Sequence, residues 1–353
     1  MLGAAWSTAE SRWTVDVERD GEMIQISADW LFCAGGTTAT TRVTPRNSQG
    51  VNGSPGRSCI PQHWPEDLDY TGKKVVVIGS GATAVTLIPA MAPTAGHVTM
   101  LQRSPTYVMP VPAKDGFANA AKKLLGDKRG YAVTRRKNIL KQRSVYVLCQ
   151  KYPAAARRLI RSINAKQLPA GYPVDEHFNP TYNPWDQRLC AVPDADLFKS
   201  LSDGSASVVT DRIATFTENG ILLESGRELE ADIIVTATGL QIQLFGGMGG
   251  LTVDGRPVNP AETVAYKGIM LSGVPNFAFA FGYTNSSWTL KVGLLCEHFC
   301  RLLSYMDTHG FDAVRPEVLD TAMPTLPLLD FGAGYVSRSA AELPRQASTA
   351  RGR

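Results

Sequence analysis

The chain has 353 residues, of which 44% are hydrophobic and 19% are charged. This composition is typical of a globular protein with room for two hydrophobic cores, and it excludes a disordered chain. A formal net charge of +4 is too small to indicate nucleic-acid binding, and no uninterrupted apolar run reaches the roughly 18 residues of a membrane-spanning helix.

The cysteines predict an intracellular protein without a metal site. The six of them form no C-x-x-C pair and no Cys/His ligand spacing, so reduced thiols are expected. Residues 1–13 lack the basic start and the apolar core of a signal peptide. A cytoplasmic location follows as the expectation.

The first predicted elements form a hairpin that is followed by a strand. Residues 12–27 alternate apolar and polar side chains around Asp20-Gly21, a strong hairpin signal, and an apolar strand over 28–36 ends in small residues. The same order returns at 214–239. This internal repeat predicts two related nucleotide-binding halves. Since the 27 residues before the first strand contain no glycine-rich turn, the first half is expected to lack its phosphate cradle.

Residues 37–60 contain no aromatic residue, no acid and no apolar period. The segment is therefore predicted to be loop or disorder. Its composition is also typical of a GC-rich gene read in a shifted frame. We hypothesise two compensating frame changes, which the nucleotide sequence would reveal.

A glycine-rich segment follows a short β-branched run at 75–78, of the kind that parallel strands buried on both faces need. Gly79 is expected to make a tight turn, Gly81 to let the backbone approach a pyrophosphate, and Ala84 to pack the next helix on the strand. A dinucleotide is predicted to bind there, on the free N–H groups of the helix; the alternative is a plain glycine turn. The predicted cradle residues are Gly79, Ser80, Gly81, Ala82, Thr83 and Ala84.

The second parallel strand is predicted at 97–104. An NAD site needs an acid about 20 residues after the glycines, to hold the ribose 2′-hydroxyl. Here the neutral Gln102 is followed by Arg103 and Ser104. A guanidinium suits a 2′-phosphate, so the sequence favours NADPH over NADH; the alternative is a surface arginine.

A basic helical insert is predicted from 117 to about 168. Residues 122–166 contain 14 Lys or Arg and a single acid, Asp127. Three interpretations stay open: a solvated helical face, attraction of an anionic cofactor, and contact with an anionic membrane surface. Later in the chain, Cys296 and Cys300 lie one turn apart on a predicted amphipathic helix, where core packing is favoured over metal binding.

Six segments carry a resemblance to a known family. They are Trp6-Ser-Thr-Ala-Glu, Pro61-Gln-His-Trp-Pro-Glu-Asp-Leu-Asp-Tyr, Val77-Ile-Gly-Ser-Gly-Ala-Thr-Ala-Val-Thr-Leu, Thr99-Met-Leu-Gln-Arg-Ser-Pro-Thr-Tyr, Tyr182-Asn-Pro-Trp-Asp-Gln-Arg-Leu-Cys and Gly282-Tyr-Thr-Asn. From residue 6 to about 345, except 37–60, the chain resembles the flavin-dependent Baeyer-Villiger monooxygenases. The resemblance implies one FAD domain and one NADPH domain, and oxygenation by O2 of a small-molecule ketone, thioamide or sulfide.

The resemblance also implies roles for single residues. The cradle glycines match the NADPH site, and Arg103 with Ser104 matches the 2′-phosphate site. Arg188 matches the active-site arginine, a permanent cation that can stabilise developing negative charge and retain NADP; an ordinary salt bridge is the alternative. Trp64 ends a family fingerprint, and Thr238 with Gly239 ends the second strand that links the two domains.

The departures from the family predict an impaired enzyme. The first glycine-rich motif, which holds the FAD pyrophosphate, would precede Met1 and is absent. The fingerprint keeps Gly56 and Trp64, whereas Ser54 replaces its aromatic residue and Ile60 its histidine. The alternative to a monooxygenase is therefore a non-catalytic NADPH-binding remnant or a pseudogene product.

The expected fold class is α/β, with two Rossmann-like dinucleotide-binding domains, the FAD domain incomplete, and a helical insert. Residues 1–69 are assigned to the remnant of the FAD-binding domain, 70–235 to the NADPH-binding domain with a helical cap at about 112–185, and 236–353 to the return of the chain into the FAD-binding domain.

Overall fold

The computed structural model describes residues 1–36, 57–187, 189–239, 242, 244–283, 288–329, 336 and 339–348. The chain divides into two compact units. Unit 1 comprises Met1–Arg42 and Leu240–Arg353, and unit 2 comprises Val43–Gly239. The three predicted domain ranges, 1–69, 70–235 and 236–353, stay a prediction.

The strands and helices alternate along the chain. The strands are β1 (Gly3–Ser7), β2 (Arg12–Arg19), β3 (Glu22–Ala28), β4 (Leu31–Cys33), β5 (Arg57–Cys59), β6 (Lys74–Ile78), β7 (His97–Gln102), β8 (Val108–Val111), β9 (Cys190–Pro193), β10 (Ala206–Thr210), β11 (Ile213–Phe216), β12 (Gly220–Leu223), β13 (Glu228–Glu230), β14 (Ile233–Thr236), β15 (Leu251–Val253), β16 (Arg256–Pro257), β17 (Ala265–Tyr266), β18 (Met270–Leu271), β19 (Phe277–Phe279), β20 (Thr325–Pro327) and β21 (Arg345–Ala347). The helices are α1 (Ala82–Met91), α2 (Gly116–Lys151), α3 (Pro153–Ala165), α4 (Val174–His177), α5 (Asp196–Ser202) and α6 (Trp288–His309).

The centre of unit 2 is a five-stranded parallel sheet in the order β10-β7-β6-β14-β5. Its strands are buried on both faces, as their β-branched runs predict. Val75 and Val77 of β6 face a core shared with α1 and α5, whereas Val76 and Ile78 face a core shared with the antiparallel sheet β11-β12-β13. Unit 2 therefore has three layers, with helices on one side of the parallel sheet and a hairpin sheet on the other.

The helical insert of unit 2 is a helical hairpin followed by α3. Gly126 interrupts α2 with φ of 75°, and the chain turns back there. The two arms, 116–125 and 127–151, are held together by Lys137, whose Nζ lies 2.7 Å from Asp115 Oδ2 and 4.6 Å from the ring centroid of Phe117. Close packing continues nearer the bend, because a Cβ on Gly130 would lie 2.7 Å from Lys122 Cα.

Unit 1 repeats this layering around fewer parallel strands. The hairpin β2-β3 turns at Asp20 and Gly21, with φ of 54° and 82°, and belongs to the five-stranded sheet β16-β15-β1-β2-β3. The parallel pair β4 and β19 lies between two cores, one around Trp13 and one shared with α6. Trp13 also donates from Nε1 to the carbonyl oxygen of Asn276 at 3.1 Å. The predicted hairpin-then-strand repeat is thus present in both units.

Two local expectations differ from the structure. Arg57–Cys59, at the end of the segment expected to be irregular, forms strand β5 because its backbone pairs in parallel with β14; residues 37–56 lie outside the described residues. Cys296 and Cys300 are exposed rather than packed in a core, since α6 buries Leu295 and Met306 on another stripe. Among the described residues, none of the helices combines the length and the apolar character that a bilayer crossing requires.

Candidate functional site

The predicted cradle lies at the carboxyl end of the central strand of unit 2. From β6 the chain passes through α1 to β7 on one side, and it returns to β14 on the other side of β6. Such a reversal of strand order opens a crevice at the carboxyl ends of the strands, where α/β proteins bind their ligands. The segment 79–84 and the end of β14 border this crevice.

Gly79 makes the turn that the sequence predicts. Its φ is 133°, and a Cβ there would lie 2.4 Å from the carbonyl oxygen of Ala237. Its N–H donates to Leu101 O at 2.8 Å, while the N–H of Ala237 donates to Ile78 O at 2.8 Å. The turn is thus bonded to both neighbouring strands, and no other residue type fits its position.

Gly81 is the N-cap of α1, with φ of −80° and ψ of −175°. Among the described residues no side chain caps this helix end, and its first turn carries no acid. A Cβ on Gly81 would meet nothing within 4 Å. The first N–H groups of a helix have no partner within the helix, so this end combines open space with donors and a positive dipole end. These features fit a pyrophosphate.

The remaining cradle residues divide between site and core. Ser80 Oγ lies 2.7 Å from Thr106 Oγ1 and donates to Ser104 O at 3.5 Å, which brings the end of the second strand beside the cradle. Ala82 is exposed and Thr83 is half-buried at the start of α1. Ala84 is fully buried against the sheet, which is the packing role that the sequence predicts.

The two residues at the predicted 2′-phosphate site point to different environments. Arg103 and Ser104 are exposed, and among the described residues Arg103 forms no salt bridge. Gln102, in contrast, is 2% exposed, and its Nε2 donates to His177 O at 2.9 Å and to Thr210 Oγ1 at 2.8 Å. Gln102 therefore does not face a nucleotide; its amide joins β7 to β10 and α4.

This buried network is completed by the imidazole of His177. Its Nδ1 lies 2.8 Å from Thr210 Oγ1, and burial lowers the pKa of His177, an effect that Glu176 opposes. A neutral imidazole accepts from the Thr210 hydroxyl while that oxygen accepts from Gln102. The network connects the end of the insert with the strand that ends at Arg103.

Three further predicted site residues occupy separate positions in unit 2. Trp64 is half-buried against the core, and its ring meets Tyr70 edge to face at 6.3 Å between centroids. Thr238 and Gly239 are exposed just past β14, with φ of 107° at Gly239. They follow Ala237 directly and therefore lie on the cradle side of the sheet.

Arg188 lies outside the described residues. The chain on both sides of it is held in place: Pro184 and Gln187 form a bridge, and the N–H of Cys190 donates to Tyr107 O at 2.7 Å. Tyr107 in turn donates from its hydroxyl to Tyr182 O at 2.8 Å, and burial raises the pKa of Tyr107. The assignment of Arg188 as an active-site residue remains a prediction.

Sequence reasoning missed Thr106, Thr210 and His177, which support the site from three different segments. Thr106 follows Ser104 by two positions at a predicted strand end, so its position was a usable signal. Thr210 and His177 carry no local signal, because they meet Gln102 only through tertiary packing.

Comparison with known proteins identifies close relatives, although no family model matches the chain. The FAD-containing monooxygenase EthA of Mycobacterium tuberculosis is 51% identical over 350 residues, which cover 99% of this chain and 71% of the relative. EthA of Mycolicibacterium smegmatis is 51% identical over 352 residues, with the same coverage of 99% and 71%.

Solved structures share the fold at low sequence identity. OTEMO in complex with FAD and NADP aligns with a TM-score of 0.66 and 20% identity over 89% of this chain and 67% of that protein. An open form of cyclohexanone monooxygenase aligns with a TM-score of 0.68 and 19% identity over 89% and 69%. Both the family resemblance and the expected fold class are confirmed. The chain belongs to the FAD-containing monooxygenases, and its fold is that of the Baeyer-Villiger enzymes among them.

Proposed function

We propose that this chain binds NADPH in unit 2 and serves oxygenation of the Baeyer-Villiger type, with O2 and a small ketone, thioamide or sulfide as substrates. The observation that carries the proposal is the open, uncapped N-terminus of α1 behind a glycine turn at a reversal of strand order. Family membership supplies the reaction class.

The residues of the cradle divide the cofactor between them. The pyrophosphate lies on the N–H groups at the start of α1, where Gly81 leaves room for it. The 2′-phosphate is held by the Arg103 guanidinium and the Ser104 hydroxyl, next to the cradle through Ser80. Thr238 and Gly239 border the crevice from the β14 side. Arg188 is proposed to retain NADP and to stabilise negative charge on the substrate.

FAD fits the described residues less well than NADPH does. Its chemistry in this reaction class is the transfer of an oxygen atom from O2 to the substrate, with electrons from NADPH. Among the described residues of unit 1, no glycine-rich turn connects a strand to a helix as Gly79 does in unit 2. We therefore derive no step through the flavin.

This difference favours a second candidate, a non-catalytic NADPH-binding remnant. Under that candidate the chain retains the NADPH site and has neither bound flavin nor measurable oxygenase activity. Both candidates predict NADPH binding, and they differ in what added FAD does.

Calorimetric titration of the purified chain with NADP⁺ and NAD⁺ tests the common part. Preference for NADP⁺ is expected, and equal or absent binding of both would contradict the proposal. Addition of FAD with cyclohexanone or a thioether then separates the candidates. NADPH consumption with oxygenated product supports the monooxygenase, whereas NADP⁺ binding without flavin binding or turnover supports the remnant.

A cytoplasmic location and a peripheral membrane contact through the insert complete the proposal. All six cysteines are unpaired, which suits a reducing compartment. The insert supplies the basic charge for membrane contact, since 14 of the residues between 122 and 166 are Lys or Arg.

A further inference from the structure

The bend of the helical hairpin exposes two large apolar side chains. Leu124 is 81% exposed and Leu125 is 47% exposed, and they are the last residues of the first arm, directly before Gly126. We call residues 122–129 the tip. Every residue of the tip is exposed, so it has no packing partner among the described residues.

Positive charge surrounds these leucines. Lys122 and Lys123 precede them, and Lys128 and Arg129 follow the bend. The only acid of the tip is Asp127, whose Oδ1 lies 3.1 Å from Lys122 Nζ. Four cations and one carboxylate within eight residues leave a net charge of three positive units.

The tip differs in this respect from the rest of the insert. In the second arm, exposed apolar side chains such as Tyr131, Ile139 and Leu140 lie on different sides of the helix, because about 3.6 residues make one turn. Such a helix cannot present one apolar face to a bilayer along its length. At the bend, by contrast, the apolar and the basic side chains share one end of a short, braced hairpin.

We propose that the tip docks this chain on the surface of an anionic bilayer. Leu124 and Leu125 enter the acyl region, while the surrounding lysines and arginine contact lipid phosphates. Complementary charge argues for lipid as the occupant, because a strongly basic apolar surface of this size matches anionic headgroups better than it matches a second, equally basic copy of itself. The proposal deepens the membrane contact proposed for the insert and does not depend on oxygenation.

Vesicle cosedimentation of the full chain tests the tip. Vesicles of phosphatidylcholine mixed with phosphatidylglycerol are compared with vesicles of phosphatidylcholine alone. Binding to the anionic vesicles, weakened by salt, is expected. Replacement of both tip leucines (Leu124→Ser with Leu125→Ser) is expected to weaken binding at least about tenfold, because two buried leucines contribute that much affinity.

The matched control is Leu140→Ser with Leu159→Ser, since these leucines are 59% and 55% exposed in the same insert but away from the tip. This control should bind as the unaltered chain does. Lys123→Gln with Lys128→Gln should bind more weakly and with less dependence on salt. This charge variant tests the proposal independently if the leucine variant is poorly folded by circular dichroism.

Three results would overturn the proposal. They are absence of binding to anionic vesicles, equal binding to neutral vesicles, and unchanged binding of both tip variants. Light scattering covers the other occupant: a dimer of the unaltered chain that the tip variants abolish, without vesicle binding, would assign the tip to a contact between copies. None of these measurements uses NADPH or flavin, so their failure is distinct from a failure of the proposed reaction.

Discussion

A Cβ on Gly79 would lie 2.4 Å from the carbonyl oxygen of Ala237, which closes the cradle turn against the end of the neighbouring strand. The two residues are distant in sequence, yet each continues the hydrogen bonding of the parallel sheet past β6. The position of the phosphate site therefore depends on the contact of two strand ends and on φ of 133° at Gly79.

Gly79→Ala should destabilise unit 2 by about 3 kcal/mol, because alanine is strained at this φ and its methyl group meets the Ala237 backbone. Urea denaturation measures the change. The control is Gly81→Ala, which meets open space and should keep the stability while NADP⁺ affinity falls about tenfold, since its methyl group enters the path of the pyrophosphate. Equal stability of the two variants would contradict the described turn.

Arg103→Gln should weaken NADP⁺ binding by about ten- to a hundredfold and leave NAD⁺ binding unchanged, because it removes charge-assisted hydrogen bonds to the 2′-phosphate alone. Calorimetric titration with both nucleotides measures the selectivity. Arg227→Gln, an exposed arginine of the hairpin sheet in the same unit, is the control and should bind both nucleotides as before. If Arg103→Gln retained the preference for NADP⁺, Arg103 would not be the 2′-phosphate ligand.

Gln102→Leu should lower stability by about 1 to 3 kcal/mol, because it leaves the buried carbonyl of His177 and the hydroxyl of Thr210 with one donor fewer. Urea denaturation again measures the loss. Gln25→Leu removes an exposed hydrogen bond to Asp16 and should change stability very little. A Gln102→Leu variant as stable as the unaltered chain would show that the buried network contributes no net stability.

His177 should make the stability depend on pH. Because burial lowers its pKa in the folded chain, the unfolded chain takes up the proton first as the pH falls. Its effect on stability is therefore absent above the unfolded pKa of about 6.5 and grows as a loss of stability from there down to the lower folded pKa.

Urea midpoints measured from about pH 7 to pH 5 should fall less steeply for His177→Gln than for the unaltered chain. His63→Gln replaces an exposed histidine of the same unit and should keep the steeper dependence. Parallel curves for His177→Gln and the unaltered chain would exclude His177 as the source of the slope.

The sequence by itself determined the elements whose cause is local. The β-branched run of β6 predicts a strand buried on both faces, and Val75 to Ile78 alternate between two cores as such a strand must. Asp20-Gly21 predicts its hairpin because both residues tolerate positive φ. The cradle is predictable for the same reason, since each of its residues is required by the backbone next to it.

Only the tertiary structure decided which side chains the site uses. Gln102 and Arg103 are neighbours at one strand end, yet packing of β10 and α4 buries the first and leaves the second exposed. Arg57–Cys59 became a strand because β14 offers a free edge, and the composition of the segment contains no trace of that partner. Burial and edge pairing depend on residues far away in the chain, so a local pattern cannot determine them.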